Sequence, residues 1–264
     1  METNDGPLTG DPLATLYAEA LALLKTSSVP FLVGGTFAYA RYTAIDRQTK
    51  DLDVFVRGED IDRTLQIFQQ AKFFAELPYP HWLAKVGRGT NVMDIIFSSG
   101  NGVAQVDDEW FTYAAESEVL GLRVQLCPLE EMIWSKAFIQ ERERFDGADV
   151  IHLLRAGRDV NWPRLLERFG EHWPVLLSHA VLFRFVYPDQ RECVPPAVMH
   201  DLAQRLAAQR DQPSHRICYG TLLSREQYLY DVEQLGYIDA RVRPLGSMTR
   251  EETRIWTDAI EKKP

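Results

Sequence analysis

Phe31-Leu32-Val33-Gly34-Gly35-Thr36, followed at 51–54 by Asp51-Leu52-Asp53-Val54, decides how the rest of the chain is read. The apolar run stops at two glycines, which let the backbone turn sharply and approach a ligand closely. A helix expected from Thr36 to Tyr42 would present free N–H groups to an anion, and the Thr36 hydroxyl adds a donor for a phosphate oxygen. In an extended strand side chains alternate, so Asp51 and Asp53 share one face while Leu52 and Val54 point into a core. Two carboxylates that close repel each other unless a cation sits between them. The pair suggests a divalent metal, magnesium, and a phosphorylated ligand.

A third carboxylate, Asp94, interrupts the β-rich run Val92-Met93-Asp94-Ile95-Ile96-Phe97. Burying it without a cation or hydrogen-bond donors is costly. If its strand lies beside that of Asp51 and Asp53, three carboxylates converge on one point. Taken singly, each signal has a plainer reading: a tight strand-to-helix turn, a solvated strand end, a hydrogen-bonded structural aspartate.

The chain has 264 residues, enough for two domains, and a formal net charge of −9. That charge argues against a broad basic surface for nucleic acid. No run approaches the roughly 20 apolar residues that span a bilayer, and residues 1–11 lack a signal-peptide pattern, so a cytoplasmic protein with no membrane partner is expected. Three cysteines, Cys127, Cys193 and Cys218, are widely spaced and read as buried reduced thiols. The six histidines show no metal-ligand spacing, and no serine lies in a nucleophile elbow.

Asp11-Pro12 reads as the start of a helix through Leu24, Val29 to Val33 as a strand, Leu52 to Val56 as the carboxylate strand and Ile61 to Ala71 as a helix. Tyr79, His81 and Trp82, with Lys85 and Arg88 after them, read as a hairpin with partly buried aromatics, able also to steer a substrate. A tight turn is expected at Gly87 to Gly89, and further strands at Val103 to Val106 and Leu122 to Leu126. From Pro128 the pattern becomes helical, with helices at Leu129 to Ala137, about Val150 to Leu154, Pro163 to Phe169, Trp173 to Tyr187, Pro196 to Gln209 and Arg225 to Leu235. Trp162, Trp173, Phe183, Phe185 and Tyr187 fall in these patterns and read as core, with Phe185 and Tyr187 also candidates to line an acceptor pocket. The expected architecture is α+β, a mixed β-sheet with flanking helices over 1–127, followed by a mainly α-helical domain over 128–264.

In order, Gly34, Gly35, Asp51, Asp53 and Asp94 resemble the signature of the nucleotidyltransferase superfamily with the DNA polymerase β-like fold. Arg47-Gln48-Thr49-Lys50 is similar to the lead-in of its antibiotic and minimal nucleotidyltransferases. The resemblance covers roughly residues 30 to 155 and implies a catalytic domain over 1–127 with a helical substrate or accessory domain after it. It also implies an Mg2+-dependent transfer of a nucleoside monophosphate, AMP from ATP, to a hydroxyl of a small molecule, an RNA end or a protein, with release of pyrophosphate. Asp51 and Asp53 would hold the metal. Asp94 would complete a second metal site or accept the hydroxyl proton, two roles the sequence does not separate. Gly34, Gly35 and Thr36 would grip the β- and γ-phosphates. The stretch Leu129 to Lys136 is similar to a helix that follows the catalytic domain in such proteins, which makes Lys136 a candidate phosphate contact, with Arg142 and Arg144 weaker ones. A charged solvent face explains those three residues equally simply. A second class of function stays open: a catalytically silent nucleotide-binding module or an antitoxin-like interaction partner.

Overall fold

A computed structural model describes residues 12–47, 51–210 and 216–259. The expected Asp11 cap and the Gln48, Thr49 and Lys50 positions of the lead-in lie outside the described residues. Contacts divide the chain into two compact units: one through Arg41, then Ile45–Ser98 and Gln105–Pro128; the other Tyr42–Ala44, Ser99–Ala104 and from Leu129 on.

The first unit runs α1 (Pro12–Thr26), β1 (Leu32–Val33), α2 (Gly35–Thr43), β2 (Asp53–Phe55), α3 (Ile61–Gln70), β3 (Phe74–Tyr79), β4 (Leu83–Arg88), β5 (Asn91–Ile96), α4 (Asp108–Thr112), β6 (Ala115–Val119) and β7 (Leu122–Leu126). Its seven strands form one mixed sheet in the order β3-β4-β5-β2-β1-β7-β6, with β2 parallel to β5, β1 parallel to β7, and the other pairs antiparallel. The short strands bury one face: Val33, Leu52, Val54, Val86 and Ile95 are fully buried, and Leu32 is buried on the opposite face beside Phe55. Helix α1 buries Leu16, Tyr17, Ala20, Leu21 and Leu24, residues at helical spacing that form one stripe.

Two expectations here are corrected. Val103 to Val106 is not a strand, because the side chains of Ser99 and Asn101 take the backbone N–H groups of Ala104 (2.8 Å) and Val103 (3.1 Å). Gly87 lies inside β4, and the hairpin turns two residues later, at Gly89-Thr90.

The second unit carries α5 (Leu129–Ala137), α6 (Gly147–Leu154), α7 (Trp162–Phe169), α8 (Trp173–Val186), α9 (Pro196–Ala208), β8 (Ile217–Cys218), α10 (Leu229–Glu233), β9 (Ile238–Asp239) and α11 (Arg250–Asp258). Mixed sheet, flanking helices and a mainly helical remainder are the architecture expected from the sequence. Helix α5 is buried nearly all round and packs on α6, α7 and α8. Its Glu130 and Glu131 are buried yet ionic: Glu130 Oε2 accepts from Arg164 at 2.8 Å, Glu130 Oε1 from the Asn161 N–H at 2.7 Å, and Glu131 Oε1 from both Arg164 and Arg168. Burial pushes the Glu131 carboxyl up, and the two guanidiniums pull it back. Phe185 corrects its expected core placement, since it is 83 % exposed while Phe183 is buried. Cys127 is buried as expected, but Cys193 and Cys218 are only half-buried. No helix among the described residues is long and apolar enough to cross a membrane.

His179 on α8 is 1 % exposed, donates from Nε2 to the Ala137 carbonyl at 2.9 Å, and has Nδ1 buried without a partner. Burial holds its pKa below 6.5, against the opposing Ala137 bond. The unfolded chain therefore takes up the proton first as pH falls, so this contribution is complete above the unfolded value of about 6.5 and is lost as pH drops through the folded one. Thermal unfolding temperature should fall as pH is lowered from neutral. His179→Gln, which keeps the donor, should flatten that slope; His172, whose pKa burial lowers likewise, accounts for a remainder. An unchanged slope in the variant would remove His179 as the cause.

Candidate active site

The register of the sheet assembles the site. Asp53 on β2 is the parallel partner of Asp94 on β5, and the Asp94 N–H bonds the Leu52 carbonyl at 3.0 Å. Side chains of register partners stand on the same face, so Asp53 and Asp94 are neighbours across the strands. Asp51, two residues before Asp53, is exposed and stands just ahead of β2. On the other flank the Gly34 N–H bonds the Asp53 carbonyl at 2.9 Å, which brings the end of β1 and the start of α2 to the same point.

Both glycines are required there. A Cβ on Gly34 would collide with the Phe55 ring, which stacks on Trp110 at 5.3 Å. Gly35 opens α2 at φ +53°, and a Cβ there would collide with the Asp53 carboxylate oxygen Oδ2. The first turn of α2 thus lies directly against a site carboxylate, as close as a backbone without a side chain allows. Gly35→Ala should cost about 1–2 kcal/mol in backbone strain alone and displace the Asp53 carboxylate. Chemical denaturation and Mn2+ affinity measured on the same variant check both halves.

Tyr17, reaching in from α1, was not singled out in the sequence. Its hydroxyl donates to the Val92 carbonyl at 3.0 Å, and its pKa is pushed up to about 12, first by burial and then by the negative charges of Asp51, Asp94 and Asp53, against a bond with the Leu52 backbone. All three carboxylates therefore bear on one buried phenol, which stays neutral and ties α1 to the strands that carry them. Nothing in the apolar stripe of α1 marks Tyr17 as different from a core residue.

Lys85 on β4, read from the sequence only as part of a hairpin able to steer a substrate, takes a more specific place. It is the antiparallel partner of Asp94, and its Nζ donates to Asp94 Oδ1 at 2.7 Å. The signal was present: a two-residue turn at Gly89-Thr90 pairs Arg88 with Asn91 and, three steps back, Lys85 with Asp94. Placing the turn at Gly87 to Gly89 hid it.

Among the described residues, no three His, Cys, Asp or Glu side chains are gathered as a ready-made metal cage. Asp51 and Asp53 remain a donor pair of hard carboxylate oxygens of the kind magnesium takes. These residues fit the metal. Arg47 lies over the Tyr39 ring at 4.2 Å and donates to the Tyr39 hydroxyl at 2.8 Å. Lys136 stands on α5 with its ammonium 2.9 Å from both Asp146 and Asp149; Arg144 bonds Asp146, and Arg142 is exposed.

No family model matches the chain, and no curated protein matches it. The solved structures to which it is similar are nucleotidyltransferases. One is ANT(2'')-Ia in complex with adenylyl-2''-tobramycin, 19 % identical over 66 % of this chain and 98 % of that one, with a TM-score of 0.41. Another is the lincosamide antibiotic adenylyltransferase LnuA with lincomycin bound, 12 % identical over 52 % of this chain and 93 % of the other, TM-score 0.37. A third is a putative nucleotidyltransferase from Thermotoga maritima, 15 % identical over 43 % of this chain and 76 % of the other, TM-score 0.34.

Proposed function

We propose that the protein is an Mg2+-dependent nucleotidyltransferase that moves a nucleoside monophosphate, AMP from ATP, onto a hydroxyl of an acceptor and releases pyrophosphate. One observation carries this reading: Asp53 and Asp94 are register partners on adjacent parallel strands, and the glycine turn that opens α2 lies against Asp53. A helix start opened by glycine and a pair of neighbouring carboxylates lie side by side, which a structural turn or a solvated strand end does not need.

Asp51 and Asp53 would hold Mg2+, which when bound neutralises phosphate charge and orients the leaving group. The N–H groups at the start of α2 and the Thr36 hydroxyl bind the β- and γ-phosphates. Asp94 takes the proton of the acceptor hydroxyl, whose oxygen bonds to the α-phosphorus as the bond from that phosphorus to the β-bridging oxygen breaks. Positioning and electrostatics supply the rate, and no covalent nucleophile takes part. Lys136 is left out of this scheme because Asp146 and Asp149 already hold its ammonium.

A second reading, a silent nucleotide-binding module, draws on the Lys85 ion pair that occupies Asp94. Pyrophosphate release measured with each nucleoside triphosphate, over a panel of small-molecule, RNA and protein acceptors, separates the two. Release that needs both Mg2+ and an acceptor, and stops with EDTA, supports transfer. Nucleotide binding with no turnover across the panel supports the silent module.

A further inference from the structure

The face that carries the site is a row of charges across four neighbouring strands. Register partners run Asp53 on β2, Asp94 on β5, Lys85 on β4 and the exposed Glu76 on β3. Asp51 lies two residues from Asp53, just ahead of β2, and its charge acts with those of Asp53 and Asp94 on Tyr17. The three aspartates and Glu76 bring four negative charges against the one positive charge of Lys85, and a divalent cation offsets most of the excess. The Tyr17 hydroxyl among them stays neutral, since its pKa is pushed up to about 12. Lys85 engages Asp94 at 2.7 Å with side-chain exposures of 41 % and 26 %, so the pair is neither loosely solvated nor sealed in the core. At that depth a paired ammonium and carboxylate are screened less than a surface pair.

Resting on the nucleotidyl-transfer reading, we infer that Lys85 is a positioning residue that stands where a second metal would otherwise be needed: the site binds one divalent cation, on Asp51 and Asp53, while Lys85 fixes Asp94 by its Oδ1. Asp94 Oδ2 then faces the reacting hydroxyl. In the transfer step the hydroxyl oxygen bonds to the α-phosphorus, pyrophosphate leaves with the electrons of the broken bond, and the hydroxyl proton passes to Asp94 Oδ2. The Lys85 side chain holds the carboxylate in line through its bond to Oδ1. Removing Lys85 frees Asp94 to ligate, so the carboxylate set should gain a second cation site.

The test is a count of bound Mn2+ by electron paramagnetic resonance on the purified chain, with Mn2+ alone as the probe. Wild type and Lys85→Arg should each bind one Mn2+, and Lys85→Met should bind two, with circular dichroism unchanged. Asp51→Asn should lose the single wild-type site. Two Mn2+ bound by the wild type, or one still bound by a folded Lys85→Met, would overturn the inference while leaving the transfer reading standing. No Mn2+ bound by the wild type would overturn both. If Lys85→Met does not fold, Lys85→Gln carries the same count, because it removes the charge at similar length.

Discussion

Asp53→Asn should abolish transfer while the protein stays folded. The substitution keeps the volume and removes the charge from the residue at the centre of the site, partner to Asp94 in the sheet and packed against Gly35. Metal-assisted charge stabilisation is worth several kcal/mol, so a loss of about 4 kcal/mol corresponds to about a thousandfold drop in turnover. Asp51→Asn should fall comparably, and Asp94→Asn should also lose most of its rate, through the proton rather than through the metal. Steady-state turnover, set beside thermal unfolding of the same samples, gives the answer. Near-normal turnover in a folded Asp53→Asn protein would end the assignment of these carboxylates to catalysis.

Glu131→Ala should cost about 3–5 kcal/mol of stability, because it strips partners from buried arginines. Glu131 is fully buried on α5, and its Oε1 accepts from Arg164, itself 4 % exposed, and from Arg168 at 2.9 Å. Without it, Arg164 loses a buried carboxylate partner while its bond to Glu130 stays. Replacing Glu131 and Arg164 together by methionine should recover much of the loss, since well-packed apolar residues often serve as well as a buried ion pair. Urea unfolding of the single and double variants checks this. Equal destabilisation in both would mean that packing volume, and not the orphaned charge, sets the cost.

The carboxylate strand was legible because polar and apolar residues alternate through Val54: Leu52 and Val54 are fully buried and Asp53 between them is not, before Phe55 and Val56 are both buried. The glycine turn was legible because only residues without a Cβ fit between Phe55 and Asp53. Helices α5 to α9 were legible from their spacing, but spacing does not say which apolar side is covered. In α8, Leu176, Ala180 and Phe183 face inward, and Phe185, two residues on, faces out. Local side-chain bonds misled most. The helix expected from Arg225 shrinks to Leu229–Glu233 because Glu141 and Ser224 accept the N–H groups of Arg225 and Gln227. Lys85 was legible as a residue able to steer a substrate, but its pairing with Asp94 was not, because that pairing depends on register and a two-residue error in the turn moves it off Asp94.

Transfer of the α-phosphate is the central claim, and a pair of labels tests it directly. The protein is incubated with Mg2+, fractionated cell extract and a nucleoside triphosphate labelled at the α-phosphorus in one sample and at the γ-phosphorus in the other. Transfer predicts that the α-label moves onto an acceptor while the γ-label leaves as pyrophosphate, and that Asp53→Asn does neither. Gamma label on the acceptor, or labelling that persists in Asp53→Asn, would contradict it.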